Sequence, residues 1–172
     1  MELQIREPIP SDAAALGRLH ADAWNVAYAD QMPAGLLAHF TVERRTAMWE
    51  RVIASTLGES ERIAIADVDG TAVGFAWAGP CRDEDGPQGA GELYAINVSP
   101  DSWRGGVGTA LIEAAHETLA AHGFPLAVLW VLPGNDRARR FYERHGWFAD
   151  GVTREDESHG FVVTEVRYTR LF

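Results

Sequence analysis

The chain has 172 residues, 47% hydrophobic and 23% charged, the balance of a single soluble globular domain over residues 1–172 rather than of a disordered chain. All fifteen of its Lys+Arg residues are arginine, which excludes chemistry that needs a lysine amine, such as a Walker lysine, a Schiff base or a pyridoxal attachment. Twenty-five acidic residues set the formal net charge at -10, which disfavours nucleic acid and anionic lipid as partners, and one cysteine, Cys81, leaves no internal disulfide.

The N-terminal stretch carries no apolar signal core, and no window approaches 18 uninterrupted apolar residues, so the expectation is a cytoplasmic protein with no membrane contact. Leu3 and Ile5 alternate with polar neighbours as in a strand, which Pro8 and Pro10 end. Ser11-Asp12 signals a helix start, and Leu16, Leu19, His20, Ala23 and Trp24 recur at the helical three and four. Met32-Pro33-Ala34-Gly35 interrupts the pattern, and a second helix is predicted over residues 42–57 with Trp49, Val52 and Ile53 on its apolar side. From Arg62 the period shortens to that of strands. Segments 63–68 and 72–78 flank Asp69-Gly70, a hairpin signal. Residues 81–91, which include Asp83-Glu84-Asp85, read as a solvated loop around an incidental thiol, and residues 92–98 as the next strand.

A long helix is expected from Gly108 to about His122, with Gly123 ending it and with His116 and His122 on its surface. Residues 126–132 are almost continuously apolar, the pattern of a central strand covered on both faces. A short helix over 135–145 stops at Gly146. Strands 148–152 and 161–169 follow, joined by an acidic turn through Glu155, Asp156 and Glu157. The order β-αα-βββ-α-β-α-ββ describes an α+β domain, three-layer α/β/α, with one mixed sheet and about four helices. None of the six histidines has metal-ligand spacing.

The chemistry concentrates where the strand ending at Val98 passes through Ser99-Pro100-Asp101-Ser102-Trp103-Arg104-Gly105-Gly106-Val107-Gly108-Thr109 into a helix. Such a turn directs free backbone N–H groups outward at a positive helix end. Gly105, Gly106 and Gly108 have no Cβ to hold a ligand away, so the segment reads as a phosphate cradle with Arg104 as a supplementary cation. A tight turn that merely needs glycine is the alternative. Leu111 stands where a dinucleotide fingerprint has its third small residue, which opposes a nucleotide-dependent oxidoreductase, and the absent lysine excludes a Walker loop.

Two segments together resemble the GNAT N-acetyltransferase superfamily. Trp103-Arg104-Gly105-Gly106-Val107-Gly108 is similar to its motif A, Arg/Gln-x-x-Gly-x-Gly/Ala, with Trp103 in place of the leading Arg or Gln. Asn135-x-x-Ala138-x-x-Phe141-Tyr142-Glu143-x-x-Gly146-Trp147 is similar to motif B, and the element order extends the resemblance over nearly the whole chain. The resemblance implies a mixed, mostly antiparallel sheet with a central splayed strand pair. It also implies an N-acetyltransferase that uses acetyl-CoA, without a metal, to acetylate a small-molecule or peptide amine in a ternary complex.

Residue by residue, it implies backbone contacts from Ile96, Asn97 and Val98 to pantetheine, and a pyrophosphate site formed by Arg104, Gly105, Gly106, Val107, Gly108 and Thr109. Asn135 is either a helix cap or a further cofactor contact. Tyr142 is placed as the hydroxyl that serves the departing thiolate, a packed helix aromatic being the alternative. Glu92 is the candidate base, against a solvated strand-end carboxylate, and a bulge would shift which residues share its face. Trp24 and Tyr28, four apart, form either core packing or an aromatic wall for a cationic amine. A non-catalytic acyl-CoA-binding module of the same fold would need neither Glu92 nor Tyr142. The acceptor and the oligomeric state stay open, a homodimer among the alternatives.

Overall fold

The computed structural model describes residues 2–172, Ser158 in its backbone only, and Met1 lies outside them. The elements run β1 (Leu3–Arg6), α1 (Ala13–Ala27), α2 (Ala34–Leu37), α3 (Val42–Ala54), β2 (Arg62–Val68), β3 (Thr71–Pro80), β4 (Gly91–Val98), α4 (Val107–Ala121), β5 (Leu126–Val131), α5 (Asp136–Arg144), β6 (Phe148–Ser158) and β7 (Phe161–Leu171). The sheet order is β1-β2-β3-β4-β5-β7-β6, and among the described residues β4–β5 is its one parallel pair. One helix more than expected is present, the single turn α2.

Each face of the sheet is covered because each flanking helix carries one apolar stripe. Leu16 and Leu19 of α1 and Trp49 of α3 pack on Ile63, Ile65 and Phe75. On the other face Leu111, Ile112, Ala115 and Leu119 of α4 meet Ala76, Ala78, Leu129, Trp147 and Tyr168. Strand β5 lies between the two layers, and Ala127, Val128 and Leu129 are all fully buried, as a continuous apolar run requires. Helices α1 and α3 touch at Gly17, where a Cβ would sit 2.2 Å from Thr46 Oγ1, so even alanine would drive the two helices apart. No helix among the described residues is long and apolar enough to cross a membrane.

The parallel pair is short, and its shortness makes the site. Strands β4 and β5 share only the rungs Gly91↔Ala127 and Glu92↔Val128. Beyond them β4 stays with β3 as far as Val98, while β5 follows β7 to the Val131↔Val166 rung. The two strands diverge, and the edge of β4 after Glu92 keeps backbone groups without a strand partner on that side. A register shift on the β3 side, from Ala78↔Leu93 to Trp77↔Ala95, bulges β4 at Tyr94. Past the bulge Ile96 and Val98 pack toward α4, as Leu93 does before it, whereas Ala95 packs with Phe75 and Trp77 on the opposite face.

Two expectations need correction. Glu155, Asp156 and Glu157 do not form the last turn; they lie within β6, paired with Thr164, Val163 and Val162. The reversal is His159-Gly160, with φ of +51° and +80°, the same two-residue left-handed turn that Asp69-Gly70 makes at +50° and +84°. Turn chemistry decides the hairpin, and the acidic residues extend its arms. His116 is likewise not a surface residue of α4. It is half-buried beneath Trp147, whose Nε1 donates to His116 Nε2 at 3.0 Å.

Candidate functional site

The chain leaves β4 through a single turn at Pro100–Ser102 and reverses at Arg104 (φ +66°) and Gly106 (φ +80°) before α4 begins. Gly106 is the N-cap of α4 and offers no side chain, so no side-chain cap occupies the first N–H groups of the helix. The helix ladder starts only with Ala110 N–H donating to Gly106 O at 3.0 Å. The N–H groups of Val107, Gly108 and Thr109 are thus left at the positive end of a fifteen-residue helix, the arrangement that binds phosphate. The glycines differ in what they contribute. Gly106 is required by its positive φ, and Gly108 lets α5 approach, since a Cβ there would lie 3.3 Å from Phe141. Gly105 meets nothing closer than Ser102 O at 3.4 Å.

A groove of about 730 Å³ runs from this cradle along the free edge of β4. It brings together Ile96, Asn97, Val98, Arg104, Gly106, Gly108, Thr109, Asn135, Tyr142 and Tyr28, residues drawn from four separate elements. Gly105, Val107, Trp24 and Glu92 stay outside its lining. Val107 is buried in the core beneath the cradle, where its N–H rather than its side chain is available to a ligand.

Asn135 is 6% exposed and caps α5, its Oδ1 accepting from Ala138 N–H at 3.2 Å. Tyr28, at the end of α1, lines the groove beside it, and the Asn135 side chain acts to lower the Tyr28 hydroxyl pKa against the larger upward push of burial. Burial pushes the Tyr142 hydroxyl far up from its ordinary value, the neighbouring Tyr28 pushes the same way, and the charge of Arg137 opposes them. Tyr142 is therefore a protonated donor at neutral pH. Trp24 stacks on Phe40 at 4.1 Å and meets Tyr28 edge-on at 4.7 Å, so its ring is committed to packing behind the groove.

Glu92 stands on the last β4–β5 rung, at the apex of the opening. It is not a solvated strand end: it is 8% exposed, and Oε2 accepts the Arg82 backbone N–H at 2.8 Å. Burial raises its pKa and Asp83 adds to that, while the Arg82 N–H, Arg154 and Arg82 pull the other way. Asp83 also departs from the expected solvated loop. It accepts from Trp130 Nε1 at 2.6 Å and from Arg154 at 2.7 Å, and Arg154 continues to Glu165 at 2.8 Å. Cys81 lies in the same region, its thiol pushed up by burial and so kept protonated.

The sequence reading missed the cations of α5. Arg137, Arg140 and Arg144 all line the groove. Their spacing of three and four was available as a signal, because it places them on one side of a helix. Trp103, the residue that departs from motif A, donates from Nε1 to Val98 O at 2.9 Å and carries the Arg137 guanidinium 3.3 Å over its ring. Together with the uncapped helix end, these arginines suit a polyanionic ligand such as the phosphates of CoA. Among the described residues no group of three or more His, Cys, Asp or Glu could hold a metal ion.

The split mixed sheet flanked by helices is the fold with which the comparisons with known proteins agree. The model of the Acetyltransferase (GNAT) family matches residues 21–147, most of the chain, and the chain belongs to that family. An uncharacterized N-acetyltransferase of Bacillus subtilis, YuaI, is 29% identical over 131 residues, 76% of this chain and 72% of that one. The mycothiol acetyltransferase of Acidimicrobium ferrooxidans is 36% identical over 86 residues, which are 50% of this chain but only 27% of that protein. The crystal structure of PaiA N-acetyltransferase from Thermoplasma acidophilum, in complex with coenzyme A, superposes with a TM-score of 0.74 over 100% of both chains at 16% identity, a likeness of fold.

Proposed function

We propose that the protein is an N-acetyltransferase that moves the acetyl group of acetyl-CoA directly to an amine acceptor, without an acyl-enzyme. The observation that carries this reading is the divergence of β4 from β5, which opens onto the uncapped start of α4 with Tyr142 in the same groove. Family membership supports the same reading. The cofactor, when bound, supplies an activated acetyl thioester. The N–H groups at Val107, Gly108 and Thr109, with Arg104, hold its pyrophosphate, and the free edge of β4 at Ile96, Asn97 and Val98 holds its pantetheine arm as a further strand.

The same edge of β4 offers backbone N–H donors to an oxygen that gains negative charge, and they are fixed in place before the reaction. Tyr142 keeps its proton at neutral pH and presents it as a hydrogen bond to a departing sulfur. Glu92, with a pKa raised by burial, takes up the proton that the attacking amine must lose, directly or through water. Tyr28 and Asn135 line the same groove as Tyr142.

A panel of primary amines screened for release of free CoA tests the activity. Binding of acetyl-CoA without turnover on any amine would leave the binding-module reading instead. Tyr142→Phe sharpens the assignment: kcat is expected to fall about 100-fold while acetyl-CoA affinity stays within a factor of about three. Equal turnover at saturating acetyl-CoA would remove the role of the hydroxyl.

A further inference from the structure

We infer that Arg137, racked on the indole of Trp103, supplies the side-chain cation for the cofactor pyrophosphate that the chain lacks at the leading position of its glycine turn. The inference rests on the reading of the groove as a CoA site. Position 103 is where the glycine-turn pattern has Arg or Gln, and this chain places an indole there. The indole is fixed by its own hydrogen bond to Val98 O, at the end of the strand that delivers the turn. Its ring face then receives the guanidinium of Arg137 from α5, 3.3 Å away. The cation absent from position 103, next to Arg104 on the same wall, is thus delivered to that place from the other wall.

Three further observations favour a ligand-binding role over a structural one. Arg137 forms no ion pair among the described residues, although acids outnumber arginines by twenty-five to fifteen. It is also the second residue of α5, where the positive end of the helix disfavours a cation, so helix stability does not explain it. Arg137 is exposed to solvent yet lines the groove together with Tyr28 and Tyr142, and its charge acts on both hydroxyls. A stacked, planar guanidinium retains its in-plane N–H donors, and those suit the oxygens of a pyrophosphate. Arg140 and Arg144 extend the same side of α5 and line the same groove.

Calorimetric titration with CoA, dephospho-CoA and pantetheine tests the assignment without requiring turnover. Arg137→Ala is expected to weaken CoA and dephospho-CoA alike by about tenfold, to lower the salt dependence of both, and to leave pantetheine unchanged. Its melting temperature is expected to equal or exceed that of the native protein, which separates lost recognition from lost folding. Arg137→Gln, which keeps much of the side-chain volume, is expected to show the same loss. Adding Trp103→Arg to the Arg137→Ala chain is expected to restore most of the affinity, because it returns a cation to the turn itself. Native affinity in Arg137→Ala would overturn the inference, as would a loss seen with CoA but not with dephospho-CoA. A native protein that binds neither nucleotide would instead overturn the reading of the groove, and the inference with it.

Discussion

Arg104, Arg137, Arg140 and Arg144 line the groove, and none has a carboxylate partner among the described residues. At the β6–β7 end of the sheet the same residue type is used in the opposite way. Arg154 is held by Asp83 and Glu165 and stacks on Trp130, and Arg167 is held by Asp150, all at 2.7 to 2.8 Å. A protein with arginine as its only strong cation must use it for both purposes. What separates the two uses is whether the chain itself completes the ion pair. Where it does, the arginine fastens loops and strands together; where it does not, the charge is left for a ligand. The net charge of -10 therefore says little about the groove, which is locally cationic.

The comparison breaks most sharply at the cradle. Gly106→Glu would place a carboxylate among N–H groups arranged for phosphate and force a side chain onto φ +80°. Acetyl-CoA affinity is expected to fall more than about 100-fold by calorimetry. The ion pairs of β6 and β7 would be untouched, so the folded sheet should survive the change. Unchanged affinity would show that the uncapped end of α4 is not the phosphate site.

The converse change is Arg154→Met, which keeps an apolar stem over Trp130 but leaves Asp83 and Glu165 without their shared cation. Arg154 is about one third exposed, so solvent screens part of the loss, and chemical denaturation is expected to show about 1 to 2 kcal/mol less stability. CoA affinity should stay at its native value. A variant that kept its stability and lost the cofactor would reverse the two roles.

The difference between the two regions also marks what the sequence could reveal. The glycine turn and the helix start after it were legible because they are local: strand, turn and helix are consecutive in the chain. The element order was legible for the same reason, since Asp69-Gly70 and the apolar run of β5 each speak through adjacent residues. The ion pairs were not, because Arg154 meets Asp83 across 71 positions, and no periodicity links a loop to a strand at that distance. Glu92 could be nominated from its place at a strand start, but its burial depends on the backbone of Arg82, which only the fold brings near. Trp103 departs from its motif in the sequence, and the seat its ring gives to Arg137 of α5 is formed only by the fold.

The smallest expected effect concerns a neutral group whose partner is also internal. His116 accepts a hydrogen bond from Trp147 and can do so only with Nε2 unprotonated, and burial, then Arg170 and His145, lower its pKa to about 4. Deeper in the α1–α3 face, burial followed by the charge of Arg45 lowers His20 to about 3. A histidine whose folded pKa lies below its unfolded value of about 6.5 binds protons more readily when unfolded. Its contribution to stability is therefore complete above pH 6.5 and is lost as the pH falls toward the folded pKa. The melting temperature should decline between pH 6.5 and 4. His116→Gln keeps an acceptor for Trp147 but does not titrate, and is expected to flatten that decline by about 1 kcal/mol after allowance for solvent screening. An equally steep decline in the variant would place the acid sensitivity in His20 instead.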